Sequence, residues 1–253
     1  MNALVHAEVL KLRSTRTTVW LLLGTLAMVL IAVTFTVPPT DAQNPPVPLD
    51  DPGLLTATVG TGLLIAQVLV VLFGVLAVTQ EFRYGTATST FLVEPRRARV
   101  LVAKGQAMAL SSVVIVAGAV VVSVPFATAL IRSRNGDVTA GAQFWQTMAA
   151  GFAVMAAYAV IGVAIGAIVR HQIAAVVGVM VWMLAVEHLV IASYPSVGQW
   201  LPVGATISVM QLDQANGLDG QLTSAPVGGL VLLGYTAVAV ALALLLTPKR
   251  DIL

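Results

Sequence analysis

Residues 54–80 read LLTATVGTGLLIAQVLVVLFGVLAVTQ, without one Asp, Glu, Lys or Arg, and residues 81–104 follow as EFRYGTATSTFLVEPRRARVLVAK. The first stretch is long enough to cross a bilayer, since about 20 apolar residues span a hydrocarbon core of roughly 30 Å. The second is dense in charge and in turn-forming residues. A membrane helix that empties into a polar connection is the unit from which the rest of the chain reads.

Outward from this pair, long stretches free of strong charge recur. A charge at a helix centre costs about 2.5 to 3.5 kcal/mol on insertion scales, so spans are placed near 18–37, 54–80, 105–131, 143–169, 172–193 and 226–247. The second, third and fourth exceed the minimum length and must tilt or project. Composition agrees: 58% of the 253 residues are hydrophobic and 9% charged, whereas a soluble domain carries about one quarter charged residues. The expectation is an all-α integral membrane protein, one transmembrane domain over 1–253 with six helices. The first stretch is read as a retained signal anchor, because its apolar run exceeds the roughly 7 to 15 residues of a signal peptide.

Basic residues orient it. Lys11, Arg13, Arg16, Arg83, Arg96, Arg97, Arg99, Lys104, Arg170, Lys249 and Arg250 fall on the side of the termini, and only Arg132 and Arg134 fall opposite. By the positive-inside rule both termini are cytoplasmic in a multi-pass protein of the cell membrane. The net charge of +2 is spread over too much hydrophobic chain to track nucleic-acid phosphates, so no nucleic-acid partner is expected.

Residues 3–16, with Leu4 or Val5, Val9 and Leu12 at helical spacing and Glu8, Lys11 and Arg13 elsewhere around the axis, suggest an interfacial helix; the alternative is a charged tail that sets topology. The prolines between Pro38 and Pro52 favour an extended exterior loop. The charge-free run Trp200–Leu212 is about 20 Å of helix, too short to span but suited to a re-entrant or interfacial element; the alternative is an exposed loop. Gly162 and Gly166 form a GxxxG pair that serves either packing within the chain or a dimer seam.

In the connection after the second span, Glu81 and Arg83 end a helix, Gly85 permits a sharp backbone change, and Thr86–Thr90 offer hydroxyls to freed amides. A short helix along the membrane surface follows, Pro95 stops it, and Arg96, Arg97, Arg99 and Lys104 anchor the next span at anionic headgroups. Glu81, Arg83, Gly85, Thr86, Pro95, Arg96 and Lys104, with the start EVLKLRSTR at residues 8–16, resemble the permease subunits of ATP-binding-cassette (ABC) exporters of the type-2 family. The resemblance implies that the N-terminal stretch, with Glu8, Lys11 and Arg13, is an elbow helix. It implies that 81–95 is a cytoplasmic coupling helix touching an ATPase, with Glu81, Arg83, Tyr84, Gly85, Thr86, Pro95 and Arg96 as coupling residues. It also implies a partly re-entrant last exterior loop. Its further implications are two ABC ATP-binding subunits that carry the ATP and Mg, a second permease subunit, and export of a hydrophobic or amphipathic substrate by alternating access.

Catalytic alternatives lack their residues. No GxxxxGK[ST] loop occurs, so the chain is expected to hold no nucleotide of its own. There is no cysteine, and His6, His171 and His188 form no HExxH, so neither a metal nor another cofactor is expected. A serine protease built on Ser111, Ser112 or Ser123 would have only His188 at depth. Glu187 is the one strongly ionisable residue inside a predicted span, about 22 Å along the roughly 30 Å path. It reads as a gate or substrate contact, or as a hydrogen-bonded structural group. Gln67 reads as interhelical glue or as a contact on the translocation path. A carrier driven by an ion gradient through Glu187 and His188 is the rival function.

Overall fold

A computed structural model describes residues 2–42, 45–86, 92, 94, 96–212, 214–216, 218 and 222–247, and among these every regular element is helical. The elements are α1 (Asn2–Ser14), α2 (Arg16–Thr36), α3 (Leu54–Arg83), α4 (Arg97–Ser133), α5 (Ala142–Val169), α6 (Gln172–Val181), a π-helical turn (Trp182–Val186), α7 (Glu187–Ser193), α8 (Pro195–Gly198), α9 (Pro202–Val209), a 3-10 turn (Gln214–Asn216) and α10 (Ala225–Leu246). Among the described residues, six helices are long and apolar enough to cross a membrane: α2, α3, α4, α5, the continuous stretch from α6 through α7, and α10.

The chain's most apolar helices sort by how much of them other helices cover. In α3, 72% of the most apolar window is buried, against 11% in α10. Accordingly α3 is the axis of the bundle, with α2, α4, α5 and α6 packed around it, while α10 rests on α5 and α9. Large apolar side chains on the outer helices, Phe35, Val121, Leu230 and Leu245 among them, point outward, as they must where the solvent is hydrocarbon.

Two backbones meet closely between α3 and α5. A Cβ added at Gly162 would lie 2.2 Å from the Val71 carbonyl oxygen, and one at Gly74 would lie 2.4 Å from that of Ala159. The GxxxG pair therefore serves packing within the chain, letting two backbones meet where lipid provides no hydrophobic push between helices.

One boundary departs from the sequence reading. The helix expected to begin at 105 begins at Arg97, so α4 runs 37 residues, about 55 Å and well beyond a bilayer core. Arg and Lys are good helix formers, and the charge of Lys104 is neutralised inside the protein rather than held out of it. Of the two readings of the Trp200–Leu212 run, the short helical element holds and the exposed loop does not. The run folds into α9, whose residues from Val203 to Ser208 are buried against α5, α7 and α10.

A sharp hairpin joins α5 to α6. Arg170 closes α5 in the left-handed conformation, at φ 57°, and His171 caps α6 by accepting the Ala174 N–H through Nδ1 at 3.2 Å.

Candidate functional site

Four charged side chains from three helices meet where α3 ends. Glu81 lies in the last turn of α3, Lys104 in the second turn of α4, and Glu8 and Lys11 one turn apart on α1. Lys104 Nζ donates to Glu8 Oε2 at 2.5 Å and to Glu81 Oε1 at 2.9 Å. Lys11 Nζ donates to the other Glu8 oxygen at 2.8 Å and to the same Glu81 oxygen at 3.1 Å. Acid and base alternate around a closed, neutral ring. The Lys104 side chain is 5% exposed and that of Lys11 48%, so the ring runs from the interior to the surface.

The electrostatics follow from that placement. Burial works to raise the Glu8 carboxyl, yet the Lys104 and Lys11 ammoniums outweigh it and hold the group below its ordinary value. For Lys11, burial works to lower the ammonium, and the Glu8 and Glu81 carboxylates together raise it. Charges taken out of water are retained only where each finds such partners.

This geometry corrects two expectations. Lys104 does not reach toward headgroups; it is buried between two carboxylates. Glu8 does not sit on the polar outside of α1; it is 8% exposed, on the face that packs against α4. What draws Glu8 inward is the Lys104 charge, which outweighs the apolar spacing of α1.

The proposed coupling residues divide into two groups. Glu81 turns inward to the ring. Arg83 turns outward, its guanidinium donating to Gln172 Oε1 at 3.2 Å and lying 5.6 Å from the Tyr84 ring centroid. Tyr84, Gly85 and Thr86 are exposed, and Gly85 turns the chain at φ 71°, a conformation in which glycine carries no Cβ penalty. Arg96 is exposed and its backbone N–H meets Glu94 Oε1 at 3.2 Å. Pro95 and the side chain of Arg13 lie outside the described residues.

A second tie at the same end went unseen in the sequence. Arg97 and Arg170 both donate to the Thr247 carbonyl oxygen, at 3.2 and 3.3 Å, and the Arg170 guanidinium lies 5.2 Å from the Phe82 ring centroid. Cations at a helix C-terminus satisfy its free carbonyls and oppose its dipole. Arg97, read from the sequence as a headgroup anchor, ties the start of α4 to the end of α10. The available signal for the ring was the scarcity of acid: Glu8 and Glu81 stand among a large excess of bases on that side.

Gln67, Glu187 and His188 do not gather. Gln67 is buried on α3, and its Oε1 has no hydrogen-bond partner. His188 is exposed, with Nδ1 2.7 Å from the Met183 carbonyl oxygen of its own helix. Glu187 is fully buried, and its Oε2 accepts the Val203 N–H at 2.7 Å. Of the three, Glu187 alone lines a cleft between α5, α6 and α10. Among the described residues, His, Asp and Glu nowhere cluster as a metal site would require.

A family model described as ABC-2 family transporter protein matches residues 4–208, a span that runs from α1 into α9 and includes the charge ring, the connection after α3 and Glu187. No match is found among curated proteins.

Proposed function

Because the chain belongs to the ABC-2 family of transporter proteins, we propose that this membrane permease is the transmembrane subunit of an ATP-driven exporter. Two separately encoded ATP-binding subunits supply the ATP and Mg, and a second permease, identical or not, completes the path. The end carrying the ring faces the cytoplasm, as the excess of basic residues on that side supports.

One observation carries the reading: the connection that leaves α3 starts directly beside a ring that binds α1, α3 and α4 to one another. Force applied to a flexible loop is lost in the loop, whereas force applied beside a rigid junction moves the helices joined there. Arg83, Tyr84, Gly85 and Thr86, with Pro95 and Arg96, form the contact with the ATPase. Glu81 does not touch it; Glu81 passes the displacement to α1 and α4. Closure of the ATPase pair then rocks the helices and switches a central path from inward to outward access, a change between two packings.

The ion-gradient rival needs Glu187 and His188 to act together, and their side chains leave the helix in different directions. The test is copurification from native membranes, followed by reconstitution. The expected outcome is an associated subunit with a phosphate-binding loop, ATP hydrolysis that depends on this chain, and loss of that dependence in Arg83→Ala with Tyr84→Ala. Transport by the chain alone, powered by an ion gradient in vesicles, overturns the proposal.

A further inference from the structure

The cleft between α5, α6 and α10 has a volume of about 440 Å³, within the range of about 300 to 1,000 Å³ typical of small-ligand sites. Its wall is almost wholly apolar, with Val71, Ile161 and Met183 alongside three aromatic residues, Tyr158, Trp182 and Tyr235. Among the described residues that line it there is no Lys, Arg or His, and one carboxyl group, that of Glu187.

Glu187 is held there by two devices. The π-helical turn Trp182–Val186 carries the Glu187 N–H to the Trp182 carbonyl oxygen, five residues back, and such turns occur mostly at functional positions. The Val203 N–H at the start of α9 then fixes Oε2. Tyr158, on the opposite wall, is tied to the same short helix through Thr206 Oγ1 at 3.3 Å. Glu187 Oε1 is buried with no partner at full hydrogen-bond geometry, and the Trp182 indole N–H is turned toward the carboxyl. A cap for α9 needs one oxygen and an indole is a neutral donor, so neither balances the charge of the carboxylate.

We propose that the cleft binds lipophilic cations, with Glu187 as the counter-charge at its inner end and the aromatic rings as walls. Ionisable groups at membrane depth are expensive unless paired, and this one has no basic side chain beside it. Coulomb attraction is several-fold stronger in such surroundings than in water, and aromatic faces add to the attraction for a cation with little desolvation cost. The ligand class this selects is an apolar body bearing one delocalised or tertiary-amine positive charge. The inference rests on the exporter reading, for which it names the substrate class.

The test is equilibrium binding to the full-length chain in lipid nanodiscs, with the tetraphenylphosphonium cation and uncharged triphenylphosphine oxide as probes. Wild type binds the cation saturably and more tightly than the neutral compound. Glu187→Gln keeps an oxygen to accept the Val203 N–H but removes the charge; it weakens cation binding by about tenfold or more and leaves the neutral compound unaffected. Gly178→Phe fills the cleft from a position where an added Cβ meets nothing within 4 Å, and it abolishes binding of the cation. Should Glu187→Gln misfold, Gly178→Phe decides alone. Unchanged cation affinity in folded Glu187→Gln, cation binding that survives in folded Gly178→Phe, or a wild type that does not prefer the cation, overturns the site. Neither ATP nor a partner enters the assay, so failure here leaves the exporter reading standing, and failure of ATP dependence leaves the binding result standing.

Discussion

Lys104 Nζ lies 2.5 Å from a carboxylate oxygen of Glu8, 96 positions away in the chain. The same ammonium is 2.9 Å from Glu81, so a single buried lysine fixes the N-terminal helix to the end of the central one. On the proposed coupling route, this relationship makes the connection after α3 a point of mechanical purchase.

Removing Lys104 leaves two carboxylates facing each other with only the half-exposed Lys11 between them. Breaking a buried pair by deleting one partner costs about 3 to 5 kcal/mol, and Lys104→Met is expected to fall in that range. Thermal unfolding in detergent measures it. A variant as stable as wild type would show that the ring does not hold the helices together.

The ring also gives the stability of the protein a signed dependence on pH. The Glu8 carboxyl is held below its ordinary 4.5, so its contribution is present above that value and is lost as pH falls through the lowered folded value. The Lys11 ammonium is raised above 10.5, so its contribution is present below that value and is lost as pH rises through the raised one. Unfolding temperature is therefore expected to hold a plateau between about pH 5 and 10 as far as these two groups set it, and Glu8→Gln should flatten the acid limb selectively. An unchanged acid limb in that variant removes the assignment.

Two glycines separate a packing contact from an open helix face. Gly162→Ala forces a Cβ against the Val71 backbone, which cannot swing aside as a side chain would. The expected destabilisation is about 1 to 3 kcal/mol, the usual cost of overpacking. Gly118, in α4, has nothing within 4 Å of the same added atom, and Gly118→Ala is expected to gain about 0.5 to 1 kcal/mol from helix propensity. Opposite signs in the two unfolding measurements are the prediction; a Gly162→Ala variant no less stable than wild type would refute the close α3–α5 approach.

What the sequence discloses follows from which forces act locally. Six spans were legible because hydrocarbon tolerates few charges, so gaps between charged residues mark helices without knowledge of the fold. Gly85 was legible because its freedom is a property of one residue. Lys104 was misread because its partners arrive from residues 8 and 81, and sequence spacing alone does not announce that three helices converge. Glu187 was seen to be unusual, but its partner belongs to a short helix sixteen residues later, and the cleft beside it exists only once α5, α6 and α10 are assembled.

The alternation of charge around the ring gives a test that an isolated ion pair would fail. In an isolated pair, exchanging the partners restores the attraction. Here Glu8→Lys with Lys104→Glu restores the contact between positions 8 and 104 but sets the new lysine against Lys11 and the new glutamate against Glu81, because each ring member touches two opposite charges. Like charges at such distances repel in the same proportion as the native pairs attract. The double exchange is therefore expected to remain destabilised by several kcal/mol. Adding Lys11→Glu and Glu81→Lys inverts the whole ring, returns every contact to opposite charge, and should recover most of the lost stability. Thermal unfolding of the double and quadruple variants reads the difference. Full rescue by the double exchange would mean that Lys104 and Glu8 act as a separate pair and that the four charges do not form one ring.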